Sequence, residues 1–183
     1  MVVLHCGSAS ASSCTVALAT ATPALRIPTG ARLLEVDTDR VTTPVRSLED
    51  FFPTYLALLE AGDADGLGLL YAEQAVLTSF GGPKGTTWSV GRERIVAGLA
   101  AALKDFRIVT EVQSTTPYDL RGGTLAGRLG TFESTIRPRA GGPETRLTVQ
   151  AFEVLALSPT EGWQYLSDQS QVLTITRTPP RPT

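Results

Sequence analysis

Residues 47–63 read SLEDFFPTYLALLEAGD, and this stretch decides the fold because it predicts the first of three helices. Its large apolar side chains recur at spacings of three and four residues, which is typical of a helix with one broad buried face. Tyr55 lies at the centre of that face. Ser47 is suited to cap the beginning of the helix, and Gly62 is suited to the left-handed conformation that ends it.

Two more helices and a sheet are predicted after this stretch. Asp63 can cap a short second helix that runs through Leu67, Leu70 and Tyr71, and an amphipathic pattern predicts a third helix over 91–103. The rest of the chain is strand-like almost to its end, with predicted strands at 75–80, 86–90, 106–114, 125–137, 145–157 and 163–175. Helices followed by a sheet are the order of an α+β domain.

Length and composition predict a single domain with extensions. The chain has 183 residues, of which 42% are hydrophobic, enough for one substantial core. We expect an N-terminal extension over 1–46, a domain over 47–175 and a solvated Pro-rich tail over 176–183. A formal charge of −2 provides no cationic surface for nucleic acid, and no apolar run is long enough to span a membrane.

The few cysteine and histidine residues exclude several chemistries. Cys6, Cys14 and the single histidine, His5, all lie in the N-terminal extension. A disulfide scaffold, a zinc site and a histidine-assisted nucleophile are therefore not expected in the domain, and neither is any cofactor. The Ala-, Ser- and Thr-rich extension is interpreted either as a plain extension of a cytoplasmic protein or, on weaker grounds, as an organellar targeting segment.

The strand predicted over 145–157 carries an unusual acidic residue. Its inward phase is apolar at every position except Glu153. A charged carboxyl among aliphatic side chains costs several kcal/mol unless it is paired, so two interpretations remain open. Glu153 either pairs with an arginine such as Arg128 or Arg137 on a neighbouring strand, or it faces a cavity that admits water or a ligand.

The order of the elements resembles a known superfamily. The features that carry the resemblance are the 55–63 run YLALLEAGD, Tyr71-Ala72 leading into Ala75-Val76, Gly91 at the third helix and a closing strand with Trp163. Residues 47–173 are similar to the SnoaL-like, ketosteroid-isomerase-like branch of the nuclear transport factor 2 superfamily. The resemblance implies a cone-shaped α+β domain, in which a curved antiparallel sheet wraps around three N-terminal helices and encloses a deep apolar pocket.

The resemblance also implies roles for individual residues. Tyr55 matches the oxyanion-donating tyrosine of ketosteroid isomerases, and Glu153 matches their protonated acidic donor. Ser79 stands where those enzymes have their basic aspartate, and a serine cannot take a proton from carbon. Asp168 on the last strand is interpreted either as an acid or base or as a solvated strand-end residue. The expected ligand-binding side chains are Phe51, Tyr71, Ser79, Phe80 and Trp88.

The sequence is therefore consistent with two functions. The first is a cofactor-independent isomerase, cyclase or dehydratase that acts on a small apolar compound. The second is a non-catalytic module of the same fold that binds a small ligand or dimerises. A homodimer is implied by the resemblance, and Phe152 and Val154 on the outward phase of their strand are consistent with it.

Overall fold

The structure is a computed structural model that describes residues 44–82 and 85–178. The predictions for Cys6, Cys14, His5 and the rest of 1–43 lie outside the described residues, as do residues 83–84 and the end of the chain from residue 179.

Three helices form where the sequence predicts them. They are α1 (Leu48–Ala61), α2 (Ala64–Leu69) and α3 (Arg92–Asp105). The Ser47 hydroxyl caps α1 by accepting a hydrogen bond from the Glu49 amide at 3.1 Å, and Gly62 ends the helix at φ 77°. Asp63 caps α2 through the Gly66 amide at 2.8 Å. These contacts confirm the predicted caps.

Six strands form one curved sheet in the order β2-β1-β6-β5-β4-β3. The strands are β1 (Tyr71–Gly82), β2 (Gly85–Val90), β3 (Phe106–Asp119), β4 (Leu125–Pro138), β5 (Glu144–Ser158) and β6 (Gly162–Thr178). Four of the five pairings are antiparallel, as expected, but β1 and β6 pair in parallel. The sheet is therefore mixed, and its one parallel pairing joins two strands between which β2, α3, β3, β4 and β5 lie in sequence.

Three strands differ in extent from the predictions. Tyr71 is the first residue of β1, where the sequence predicts the end of the second helix. Its side chain is fully buried. β3 continues past Pro117, which an edge strand tolerates because its outer side needs no hydrogen-bond donor. β6 extends to Thr178, three residues beyond the predicted end of this strand at residue 175.

Gly130 in β4 lies against an aromatic ring of its own strand. Gly130 pairs regularly with Ala151, but a Cβ atom there would lie 2.4 Å from the ring of Phe132. The close approach is therefore made by an aromatic ring that folds back along its own strand, and only glycine leaves room for it.

β6 contains a bulge at Leu166. Leu155 pairs with Tyr165, and the next residue back along β5, Val154, pairs with Ser167. The extra residue changes the alternation of side chains along β6. As a result Tyr165 and Asp168 are both buried on the inner face, although they are three residues apart.

The helices cover the inner face of this sheet. The core combines Phe51, Leu58 and Leu59 of α1 with Ile95 and Leu103 of α3, and from the sheet Tyr71, Ala126, Leu155, Trp163 and Tyr165. Burial of these side chains contributes roughly 1.5–3 kcal/mol for each large aliphatic or aromatic group.

Contacts of the domain begin before Ser47. The Val45 carbonyl accepts a hydrogen bond from the Trp163 amide at 2.8 Å. The Arg46 guanidinium donates to backbone carbonyls of the β5–β6 turn, at 2.7 Å to Pro159 and 3.1 Å to Thr160. Residues 45 and 46 therefore belong to the folded domain and hold the turn in place.

We expect Gly162→Ala to destabilise the protein more than Gly141→Ala does. Both glycines have positive φ, 77° and 83°, so both variants carry the backbone strain of about 1–2 kcal/mol. A Cβ atom at Gly162 would also lie 2.4 Å from the Val45 carbonyl oxygen, whereas a Cβ at Gly141 meets nothing within 4 Å. Urea denaturation should show the larger loss for Gly162→Ala. Equal losses would mean that the contact with Val45 does not constrain the turn.

Candidate active site

Three ionisable side chains form a row across the inner face of the sheet. Arg128 on β4 pairs with Glu153 on β5, and Glu153 pairs with Asp168 on β6. We call these three residues the buried row, because they are only 8%, 4% and 6% exposed. Three ionisable groups in one buried layer are costly unless each is paired or neutralised, so the surroundings of each are informative.

Glu153 is held by two donors. The Arg128 Nε atom donates to Glu153 Oε2, and the Tyr165 hydroxyl donates to Glu153 Oε1 at 3.1 Å. Arg128 Nη2 in turn donates to the Tyr165 oxygen at 3.0 Å. The three groups thus form a closed hydrogen-bonded ring in which Glu153 is the acceptor.

Asp168 is held on one side only. Its Oδ2 atom accepts a hydrogen bond from the Tyr71 hydroxyl at 2.7 Å, and within residues 44–82 and 85–178 no side chain donates to Oδ1. Burial, together with the charge of Glu153, raises the pKa of Asp168 to about 7, although the Tyr71 bond and the Arg128 charge act in the opposite direction. Asp168 therefore changes its protonation state near neutral pH.

Helix α1 places two aromatic rings over the buried row. The Arg128 guanidinium carbon lies 3.5 Å from the centre of the Phe52 ring, a cation–π contact. Tyr55 stacks on Phe52 at 6.0 Å and meets the Tyr165 ring edge-on at 5.7 Å. Burial raises the pKa of Tyr55, and the nearby charge of Asp168 adds to this effect. Tyr55 therefore stays a protonated hydrogen-bond donor.

Some of the residues expected to bind ligand lie at this site, and others do not. Phe51 is buried against Tyr165 at 4.8 Å, and Tyr71 bonds to Asp168. Trp88 is 78% exposed on β2, and Phe80 is 42% exposed. Ser79 precedes Phe80 on β1 and pairs with Thr87 of β2. Trp88 and Phe80 therefore do not line an enclosed pocket in this chain, because their strands face them to the outer side of the sheet.

The expected role of Glu153 needs correction. Glu153 does face inward among aliphatic side chains, but it pairs with Arg128, which was one of the two open interpretations. Both of its oxygens accept hydrogen bonds, so it is not a neutral donor to an oxyanion. The other arginine considered, Arg137, pairs with Glu144 at the surface.

The site also contains residues that the sequence does not single out. These are Tyr165 and Phe52, and the sequence indicates Arg128 only as a partner of Glu153. The usable signal was the inward phase of the neighbouring strands, since Arg128 is a charged residue on the same face as Ala126 and Phe132. The alternative for Asp168, a solvated strand-end residue, does not agree with its burial.

Other features of the described chain do not point to a bound group. Within residues 44–82 and 85–178, no cluster of three or more His, Cys, Asp or Glu side chains could hold a metal ion. In the same part of the chain no helix is both long and apolar enough to cross a bilayer. A solvent-open groove between Asp63 and Lys104 contains none of the residues of the buried row.

Comparison with known proteins places the fold. No protein-family model matches the chain, and no curated protein matches it. Among solved structures, a candidate scytalone dehydratase from Novosphingobium aromaticivorans superposes with a TM-score of 0.63 at 16% identity, over 73% of this chain and 86% of its own. A ketosteroid isomerase-like protein from Erwinia carotovora atroseptica gives 0.56 at 19% identity, over 69% and 93%.

A third solved structure is described by its class of fold. It is a nuclear transport factor 2-like protein with a cystatin-like fold from Novosphingobium aromaticivorans, with a TM-score of 0.51 at 16% identity, over 68% of this chain and 78% of its own. The chain therefore has a nuclear transport factor 2-like, cystatin-like α+β fold, which confirms the fold expected from the sequence. Proteins named after a dehydratase and an isomerase are among its structural neighbours.

Proposed function

We propose that this protein is a cofactor-independent enzyme that moves a proton within a small apolar compound, in an isomerisation, cyclisation or dehydration. The observation that carries the proposal is Asp168, which is buried, bonded to Tyr71 through one oxygen and without a donor on the other in the described part of the chain. A carboxyl whose pKa is about 7 can both accept and return a proton at neutral pH.

Tyr55 supplies the second group that such a reaction needs. Proton removal next to a carbonyl moves an electron pair onto the carbonyl oxygen, and a buried donor stabilises that charge. The phenol of Tyr55 stays protonated and lies close enough to Asp168 for the carboxylate charge to raise its pKa. Asp168 takes the proton through Oδ1. It returns that proton either to another carbon, which gives an isomer, or to a departing hydroxyl group, which leaves as water.

The surroundings favour an apolar substrate. The rings of Phe52, Phe132 and Tyr55 lie on the side of the site formed by α1 and β4, with Phe52 and Phe132 5.2 Å apart. Such rings exclude water and strengthen electrostatic interactions within the site. The fold is shared with proteins named after a dehydratase and an isomerase, which supports this reaction class without identifying the substrate.

The test uses 5-nitrobenzisoxazole, a small apolar probe of buried bases. A base removes the proton from its ring carbon, the N–O bond breaks, and a coloured cyanonitrophenolate forms. We expect turnover by the wild type and a loss of roughly 10²–10⁴-fold in Asp168→Asn, the usual contribution of a positioned base. Glu133→Gln, which alters an exposed carboxylate of β4, should match the wild type. Equal rates in wild type and Asp168→Asn would refute the proposal.

Tyr55→Phe should lower turnover of the natural substrate by at least about tenfold, because one oxyanion donor contributes a few kcal/mol in the transition state. The variant keeps the ring that stacks on Phe52 and meets Tyr165, so its free energy of unfolding should stay close to that of the wild type. Steady-state kinetics and urea denaturation on the same samples separate the two effects. A variant that is fully active would remove Tyr55 from the mechanism.

A non-catalytic binding module is the second candidate function. The observation that favours it is the closed ring of Arg128, Glu153 and Tyr165, which satisfies its charges without a substrate. For this function, an apolar phenol such as 2-naphthol should raise the melting temperature saturably, while 5-nitrobenzisoxazole is not turned over. Turnover that depends on Asp168 would exclude a purely non-catalytic role.

We also propose that the outer face of the sheet pairs two copies of the chain. Phe152 is 46% exposed there and Leu129 is 38% exposed. Their neighbours on β5, β6 and β1 are uncharged, including Gln150, Gln169 and Thr78. A face with large apolar groups and no central charge suits a symmetric interface. Sedimentation equilibrium should give a dimer for the wild type and a monomer for Phe152→Glu, and a monomeric wild type would contradict this assembly.

A further inference from the structure

Asp168 has ionisable neighbours on every element that packs around it. Besides Tyr165 on its own strand, these neighbours are Tyr71 on β1, Glu153 on β5, Arg128 on β4 and Tyr55 on α1. Only Tyr71 makes a direct hydrogen bond to the Asp168 carboxyl within the described residues. Glu153 and Arg128 act on Asp168 through their charges. Tyr71 is therefore the residue whose hydrogen bond can fix the orientation of the carboxyl group.

Tyr71 is itself held firmly. Its side chain is fully buried, and its ring lies 5.1 Å from that of Tyr165, its partner in the parallel β1–β6 pairing. Its backbone carbonyl accepts a hydrogen bond from Arg92 Nε at 2.7 Å, and Arg92 also pairs with Glu161 of the β5–β6 turn at 3.1 Å. The Tyr71 hydroxyl is therefore presented to Asp168 from a fixed backbone position.

We propose that Tyr71 is the positioning residue of the site: its hydroxyl holds Asp168 Oδ2 and leaves Oδ1 turned toward the substrate as the reacting atom. This inference rests on the proposed function. It replaces the role of a ligand-binding wall that the sequence suggested for Tyr71 with a role exerted through Asp168.

The bond has two separable consequences. It restricts the rotation of the carboxyl group, so that the free oxygen stays in the reactive orientation. It also stabilises the ionised carboxylate, because a phenol donates a hydrogen bond to the charged form. Removal of the hydroxyl should therefore lower turnover and raise the pH at which Asp168 loses its proton. A residue that merely filled space would do neither.

The experiment compares Tyr71→Phe with the wild type in two measurements. The pH dependence of 5-nitrobenzisoxazole turnover should shift its midpoint upward by about 1–2 pH units, since a hydrogen bond to a charged group contributes ~1.5–3 kcal/mol. At pH 7 kcat should fall, whereas KM should change little. The second measurement is the carboxyl ¹³C NMR titration of Asp168, which needs no activity and should show the same shift.

Tyr165→Phe is the matched control. It removes an equally buried phenol oxygen, but that oxygen bonds to Glu153 and Arg128 and not to Asp168. Its effect on the Asp168 titration should be clearly smaller. If Tyr71→Phe does not fold, 3-fluorotyrosine at position 71 gives the opposite test, because its more acidic hydroxyl is a stronger donor and should move the midpoint downward.

The outcomes separate the two proposals. An unchanged Asp168 titration in Tyr71→Phe or with 3-fluorotyrosine overturns the positioning role, even if Asp168→Asn is inactive. In a second outcome, Tyr71→Phe shifts the Asp168 NMR titration but the wild-type protein does not turn over the probe. The hold of Tyr71 on Asp168 is then supported, and the proposed catalytic function fails on its own.

Discussion

Arg128→Met is expected to lower the free energy of unfolding by about 3–5 kcal/mol, the usual cost of removing one partner of a buried ion pair. The methionine keeps most of the side-chain volume, but it leaves the Glu153 carboxyl, which is only 4% exposed, without its arginine and with Tyr165 as its remaining donor. The contact of the guanidinium with Phe52 on α1 is lost as well. Urea denaturation followed by circular dichroism measures the change.

The surface pair Arg137–Glu144 is the matched control. Its N–O distance is 2.9 Å, but its side chains are 46% and 37% exposed, so Arg137→Met should cost at most about 1 kcal/mol. In the double variant Arg128→Met/Glu153→Gln no charge is left unpaired, and most of the lost stability should return. Equal costs for Arg128→Met and Arg137→Met would show that burial does not strengthen the first pair.

The second large effect is a loss of stability as the pH rises, and its origin is Asp168. The folded-state pKa of about 7 lies above the ordinary value of 3.8, so between these values the folded protein keeps a proton that the unfolded chain has released. Stability due to this group is complete below about pH 4 and is lost as the pH rises to about 7. At ~1.36 kcal/mol per pH unit the full loss is about 4 kcal/mol.

The check is a set of urea denaturations from pH 4 to pH 8. Asp168→Asn is neutral throughout, so the wild type should lose about 4 kcal/mol relative to the variant across this range. Asparagine still offers an acceptor to Tyr71, which limits other effects of the change. Glu133→Gln should keep the wild-type pH dependence. If the free energies of unfolding of wild type and Asp168→Asn depend on pH in the same way, the pKa of Asp168 is not raised in the folded protein.

The helices and the class of fold could be predicted because their signals are local. The apolar spacing around Tyr55, the cap at Ser47 and the stop at Gly62 act within a few residues, and each has the expected geometry. The parallel pairing of β1 with β6 could not be found in this way, because it joins segments about 90 residues apart.

The inward position of Glu153 followed from alternation along one strand, but the composition of the site depends on register between strands. Counted outward from Thr160 in the middle of its turn, Glu153 would face Ser167. The bulge moves its partner to Asp168. Arg128 is likewise brought opposite Glu153 only by the register of the β4–β5 hairpin. A shift of one residue reverses which side chains face inward, and local patterns do not determine it.

The bulge also has a consequence for comparing this chain with its relatives. In a regular strand, residues that are two apart face the same side of the sheet. Tyr165 and Asp168 face the same side although they are three apart, so Leu166 is the extra residue of the bulge. A relative with a shorter last strand can therefore keep an equivalent acidic group at the same place in space. Its alignment to this sequence requires a one-residue gap at Leu166, and an ungapped alignment would match the acid to the wrong residue.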